Sequence, residues 1–356
     1  MKVAILGGGI NSIQIAKSLI NIGIEVDIFE KSLICSETSI KSSRLLHGGI
    51  RYLENFQFNF VAESLKCRSL WQEQYREETQ SYEFIIPIFK FKSKNIFYLF
   101  AGVKLYELLS GKHKLGSGKI RNKRDTLNLN LGLKKDNLIG SVSYYDLKMN
   151  DKEIIKKIKS EIVSSGVKIH ENMAIEEFDN KGNLKIGKNW KKFNFIINAC
   201  GSWSEDILKR NKIESNFSLK HVRGSHLIIN KQISKPLVMQ NMKDNRIIFL
   251  IPEGKYSLLG TTEIEDKNYE KLVCSDSERD YLIKIYNDFF QDQISHKDVV
   301  DSFSGYRPIV NKRSNKNISK ASREEVIEKT DKLITIFGGK WTSSNIIGDK
   351  VLKLIT

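Results

Sequence analysis

The first thirty residues constrain the fold more than any other part of the chain. Lys2 to Leu6 is a short apolar run that ends in Gly7-Gly8-Gly9, after which Ile10, Ile13, Ala16, Leu19 and Ile20 recur at helical spacing. A second apolar run, Val26 to Phe29, is closed by Glu30. Strand, glycine turn, helix and strand in this order form a dinucleotide-binding unit of a Rossmann-like α/β layer. The turn reads Gly7-x-Gly9-x-x-Ser12. Gly7 serves the tight turn, Gly9 lets backbone approach a pyrophosphate, and the helix N-terminus offers unpaired N–H groups to its charge. Ser12 stands where a third glycine is usual and adds only a small side chain. Glu30, followed by Lys31, is placed to accept hydrogen bonds from ribose hydroxyls, and an acid there disfavours a 2′-phosphate.

The rest of the chain narrows the class. A length of 356 residues exceeds what a single core usually serves, and no repeat or Pro-rich or Gly/Ser linker marks a clean boundary, so domains built from discontinuous segments are expected. The formal charge of +16 is spread along the chain, and basic runs such as Lys119 to Arg124 are not interleaved with aromatics, which argues against nucleic acid as a partner. Cys35, Cys67, Cys200 and Cys274 form no C-x-x-C pair and the histidines never fall at ligand spacing with a carboxylate, so neither disulfide framework nor metal site is expected. Lys2 runs straight into a strand, unlike a signal peptide. The greasy stretch Ile96 to Leu109 is interrupted by Lys104 and Glu107 and is shorter than the roughly 20 apolar residues of a bilayer span. A cytoplasmic protein is expected, with peripheral contact at the inner face of the membrane through Phe84 to Leu109 as an alternative.

Seven blocks in order carry a more specific signal. Thr38-Ser39-Ile40-Lys41-Ser42-Ser43-Arg44-Leu45-Leu46-His47-Gly48-Gly49-Ile50-Arg51-Tyr52-Leu53-Glu54 comes first, then Asn198-Ala199-Cys200-Gly201-Ser202-Trp203 and Gly224-Ser225-His226. Ile251-Pro252 with Leu259-Gly260-Thr261-Thr262, then Ser304-Gly305-Tyr306-Arg307-Pro308, Ser322-Arg323-Glu324 and Gly338-Gly339-Lys340-Trp341-Thr342 complete the set. Together they closely resemble the FAD-dependent glycerol-3-phosphate dehydrogenases. Ser12 and Gln14 depart from glycine in that family's pattern, and Trp341 from leucine. The family's usual sequence continues for roughly another hundred residues into a helical domain that this sequence does not contain.

The resemblance implies a D-amino-acid-oxidase-type fold: a discontinuous FAD-binding domain over residues 1–80, 141–215 and 301–356, and a β-rich substrate domain over 81–140 and 216–300. It implies FAD contacts at Gly7, Gly9, Ser12, Glu30, Lys31, Ser42, Ser43, His47, Gly48, Gly49, Ala199, Gly201, Trp203, Gly305, Arg307 and the run Gly338, Gly339, Lys340, Trp341, Thr342. Arg51, Tyr52, Arg307 and Arg323 are the expected substrate contacts, since guanidinium forks suit a phosphate. Lys340 is expected near the reacting oxygen, and His47 or His226 as the base, histidine having a pKa close to working pH. The implied reaction takes glycerol 3-phosphate to dihydroxyacetone phosphate. Oxidation of a 2-hydroxy acid, amino acid or other polyol phosphate on the same fold stays open, as does a flavoprotein without turnover. So does the electron acceptor, whether quinone, oxygen or a protein carrier.

Overall fold

A computed structural model of the chain describes residues 1–241, 243–266, 272–313 and 325–356. The N-terminal unit forms as its pattern dictates: strand Lys2–Leu6, helix Ile10–Ile20 and strand Glu25–Phe29. These strands sit inside a six-stranded sheet. Its order is Val326–Thr330, Leu333–Phe337, Phe195–Asn198, Lys2–Leu6, Glu25–Phe29 and Lys168–His170. All neighbours run parallel except the first pair. Because side chains alternate across a strand, Val3, Ile5, Val26 and Ile28 point to one core, shared with helices Ile10–Ile20, Asp151–Ser164 and Ile347–Ile355. Ala4, Leu6 and Phe29 point to another, with Phe193 and Phe337. Burial on both faces explains why these strands read as unbroken apolar runs.

The second layer is a ten-stranded sheet in which antiparallel pairing dominates. Strand Phe217–Ile229 pairs with Val299–Lys312 along nearly its whole length, and Thr79–Phe89 pairs with Leu138–Met149 in the same way. The boundaries expected at 141 and 301 therefore fall inside strands of this sheet, so 141–149 and 301–312 side with the second layer. Hydropathy does not reveal this, because the choice is made by hydrogen bonds to strands far away in sequence. Helix Asp276–Phe289 packs its apolar stripe on one face, started by a capping box between Ser275 and Glu278. Helices Phe58–Gln74 and Ile96–Ser110 contribute to the core on the other side. Among the described residues no helix is long and apolar enough to cross a membrane.

One ion cluster ties the second sheet together. Glu83 accepts hydrogen bonds from Arg121 at 2.5 Å and from Ser143 and Lys235 at 2.8 Å each. Burial pushes its pKa up, but these donors outweigh that and hold it at about 2, below the ordinary 4.5. A depressed carboxylate contributes stability that is complete above its unfolded pKa and is lost as pH falls through the folded one. Glu83→Gln is therefore expected to cost about 1–3 kcal/mol near neutrality, and the cost is expected to shrink between pH 4.5 and 2. Urea unfolding at a series of pH values measures this, and a cost that does not change with pH contradicts it.

Candidate active site

The glycine turn and the strand end Ala199–Trp203 frame a cavity of about 380 Å³. Gly7 has φ +89°, and a Cβ there would lie 2.8 Å from Ala199 O. Gly8, which sequence reasoning passed over, is pinched too: a Cβ would come 2.5 Å from Ile34 Cδ1. Its N–H donates to Glu30 Oε2 at 2.6 Å, while Glu30 Oε1 accepts from Ser32 N at 2.8 Å. The nearest protein atom to a Cβ on Gly9 is Ser39 Oγ at 3.5 Å, so Gly9 opens onto the cavity and not onto protein. Lys31 Nζ lies 4.1 Å over the Trp203 ring, and both line the cavity with Ala199, Gly201, Gly338, Gly339, Lys340 and Trp341. Gly338 and Gly339 take φ of +72° and +100°, a region that favours glycine. Trp341 Nε1 donates to Ser39 O at 2.8 Å, closing the C-terminal run onto the N-terminal loop. Burial pushes the Cys200 thiol up to about 12, so it is inert there.

A second cavity, about 840 Å³, lies beside the first and is lined by Ser43, His47, Gly49, Arg51, Tyr52 and Arg307, among others. Lys340 joins the two: it lines the first and sits 4.1 Å over the Tyr52 ring and 3.7 Å over Phe60, which line the second. Arg307 is delivered by the long strand pair, where it stands opposite Val222, and its Nη2 donates to Thr261 Oγ1 at 2.9 Å. Gly224 makes room for this contact, since a Cβ there would lie 2.7 Å from Thr261 Oγ1 and 2.8 Å from Arg307 Nη2. Thr261 and Gly224 lie in the matching blocks, but only the three-dimensional contact gives them a task. Arg246 also lines this cavity and carries no short motif.

His226 is buried and stacked on Phe303, with ring centroids 5.0 Å apart. Burial, then the charges of Arg307 and Arg44, bring its pKa down to about 3, so the imidazole is neutral at working pH. Its Nε2 is 2.8 Å from the Ser43 hydroxyl, which faces the second cavity.

Several expected contacts lie off both cavities. Ser12 is fully buried with its hydroxyl unpartnered, and packs beneath the turn. Ser42 donates to Asp151 Oδ2 at 3.2 Å and accepts from Arg44 N at 2.9 Å, turned away from its neighbour Ser43. Gly48 donates its N–H to Tyr106, Thr342 accepts from His47 N at 3.3 Å, and Gly305 is pressed on Lys41. These three shape the lining from behind. Arg323 lies outside the described residues.

The donor set suits FAD: an anion-tolerant helix start, an open Gly9, a buried carboxylate, and the Trp203 and Trp341 rings in the lining. The family DAO, FAD dependent oxidoreductase, matches residues 2–353. The aerobic glycerol-3-phosphate dehydrogenase of Staphylococcus haemolyticus is 29% identical over 373 residues, and that of Staphylococcus epidermidis 27% over 369. Each comparison covers 99% of this chain but 66% of the relative, so the chain spans just under two thirds of the length of these curated relatives. The glycerol-3-phosphate dehydrogenase from Bacillus halodurans complexed with FAD superposes with a TM-score of 0.77 at 22% identity, over 100% of this chain and 64% of that one. Glycine oxidase from Geobacillus kaustophilus gives 0.76 at 17% identity, over 99% and 94%. These structures establish the shared fold.

The two glycines separate folding from cofactor binding. Gly9→Val is expected to leave the apoprotein's melting temperature nearly unchanged while weakening FAD at least about tenfold, because the side chain enters the cavity. Gly7→Ala, at positive φ and against backbone, is expected to destabilise the apoprotein itself by about 1–3 kcal/mol. Melting curves and FAD fluorescence titrations of both variants check the pair, and equal effects on both readouts contradict it.

Proposed function

This chain belongs to the FAD dependent oxidoreductase family, and from the geometry of its second cavity we propose that it oxidises the secondary alcohol of a small anionic substrate, glycerol 3-phosphate, to the ketone. The observation that carries this reading is the Arg307 guanidinium, braced by Thr261 and facing a cavity that Arg51 and Tyr52 also line. A braced fork suits a phosphate bidentately, where a lysine offers a point charge. The sequence likeness, 27–29% identity, to proteins named aerobic glycerol-3-phosphate dehydrogenase supports the choice of substrate.

The family's flavin, when bound, supplies the acceptor for the hydride that leaves the carbinol carbon. The chain's own residues deal with the charge and the proton. Arg307 and Arg51 hold the phosphate, Lys340 offsets negative charge growing on the alcohol oxygen, and the hydroxyl proton passes to the Ser43–His226 pair. His226 is kept unprotonated before substrate arrives, and a phosphate beside Arg307 relieves one of the two charges that depress its basicity. His47, which also lines the cavity, is the other candidate for this role. The flavin layer is assigned to the six-stranded sheet with its helices, and the substrate layer to the ten-stranded sheet.

A peripheral contact with an anionic lipid surface is part of the same reading. Phe56, Phe91, Phe97 and Leu108 are 71–86% exposed. Phe56, Phe58 and Tyr98 also line the second cavity, and Lys94 joins Glu54 to this edge at 2.6 Å. Lys90, Lys94 and Lys104 stand over the Phe91, Tyr98 and Phe100 rings of this stretch, and aromatics set beside lysines match an acidic membrane surface, where a lipid-borne electron acceptor would be at hand.

Glycerol 3-phosphate added anaerobically to the FAD-loaded protein is expected to bleach the flavin, and Arg307→Ala to slow the bleaching at low substrate by about a hundredfold or more, the loss of a charged pair. A response to 2-hydroxy acids or amino acids alone moves the substrate assignment to those classes, and no response to any of them contradicts turnover. Flotation with acidic vesicles is expected for the wild type and lost in Phe56→Asp/Phe97→Asp. Absence of flotation by the wild type at low salt overturns the lipid contact.

A further inference from the structure

Behind the His47–Gly48–Gly49 turn runs a buried chain of polar groups for which the proposed chemistry has no use. Arg68, on helix Phe58–Gln74, is 1% exposed and donates from Nη1 to Asp146 Oδ1 at 2.7 Å and from Nη2 to His113 O at 2.8 Å. Asp146, on strand Leu138–Met149, is 2% exposed and accepts from the Tyr106 hydroxyl at 2.9 Å through each oxygen. The Tyr106 oxygen in turn accepts from Gly48 N at 2.7 Å. A cation, a carboxylate and a phenol from three separate elements thus end on one backbone amide.

That amide lies behind the lining, between residues that reach each cavity. His47 and Gly49, on either side of Gly48, line the second cavity, as does Asp146. The N–H of His47 is held by Thr342, which directly follows the Gly338–Trp341 lining of the first cavity. Gly48 has no slack: a Cβ would lie 2.6 Å from Leu65 and 2.7 Å from the Tyr106 oxygen. Gly49 takes φ +75°, a conformation that favours glycine, and a Cβ there would run into the Tyr52 ring.

We propose that Arg68, Asp146 and Tyr106 are positioning residues that set the His47–Gly48–Gly49 backbone against the flavin, with Tyr106 as the link that touches it. The proposal rests on the reading of the site as an FAD site. Burial raises the Asp146 pKa, and Arg68, Tyr106 and the Gly48 amide work against that, leaving it at about 6. Near neutral pH the carboxylate can thus hold both donors, which orients the phenol with its lone pairs toward Gly48.

Tyr106→Phe tests this with little change in shape, and Tyr286→Phe, which removes a buried phenol hydroxyl from the distant core under the second sheet, controls for general loosening. The expected result is a Gly48 amide that loses hydrogen-exchange protection and an FAD dissociation constant raised about five- to tenfold, the worth of one lost hydrogen bond. The visible circular dichroism of bound flavin is expected to change as well, while Tyr286→Phe matches the wild type in all three. Unchanged exchange at Gly48, or wild-type affinity and spectrum in Tyr106→Phe, overturns the proposal while the flavin reading stands. A wild-type protein that takes up no FAD overturns both, even though the exchange measurement on the apoprotein still reads the hydrogen bond.

Discussion

Parallel pairing of Lys2–Leu6 with Phe195–Asn198 is the interaction on which the site depends. It joins segments separated by about half the chain, and the C-terminal strand Leu333–Phe337 then docks on Phe195–Asn198. None of the three lines a cavity alone. Only when their ends are level does the glycine turn face Ala199 and Cys200 on one side and the Gly338–Trp341 run on the other. The constraint is severe, since the contact of Gly7 with Ala199 O leaves no room for a single methyl group. Burial of both sheet faces compensates for closing such long loops: each strand places alternate residues into separate apolar cores.

The second layer solves a different problem, which is to hold charged side chains still. Pairing of Phe217–Ile229 with Val299–Lys312 aligns Gly224 with Gly305 two rungs from Arg307. The missing side chain at Gly224 lets Arg307 lie back on Thr261. The Thr262 hydroxyl donates to the buried Glu278 at 2.7 Å, and Ser225 does the same from the neighbouring strand. Glu278 also starts its helix, so one carboxylate anchors both the helix and the corner that braces the arginine. An arginine held this way loses less rotamer freedom on binding an anion than a free surface side chain would.

The legible part of the structure was the part governed by local rules. Strand, turn, helix and strand over the first thirty residues follow from hydrophobic period and glycine chemistry, and Glu30, at the end of the second strand, lines the cavity. What stayed hidden depends on direction and burial. Ser42 and Ser43 are equivalent as letters, yet one residue's step along the backbone turns Ser42 to Asp151 and Ser43 to His226. His226 reads as a histidine of ordinary basicity until its surroundings are known; buried beside two arginines it is a different acid. Arg68, Tyr106 and Asp146 carry no motif because their meeting is made by tertiary contact, 40 and 78 residues apart in sequence.

The Arg68–Asp146 pair also shows why stability alone is a poor guide to such features. Burying a guanidinium and a carboxylate carries a desolvation cost of several kcal/mol per ion, and an apolar pair of equal volume often serves the fold as well. What an apolar pair lacks is direction. A carboxylate accepting from two donors fixes the rotation of the Tyr106 hydroxyl, and that hydroxyl fixes the height of one peptide plane beneath the cavity. Helix Phe58–Gln74, helix Ile96–Ser110 and strand Leu138–Met149 each hold one member, so the chain couples all three elements to the Gly48 amide. The same logic runs through Glu278 and Thr262: a buried carboxylate holds the hydroxyl of a cavity-lining residue, and the neighbouring Thr261 braces Arg307.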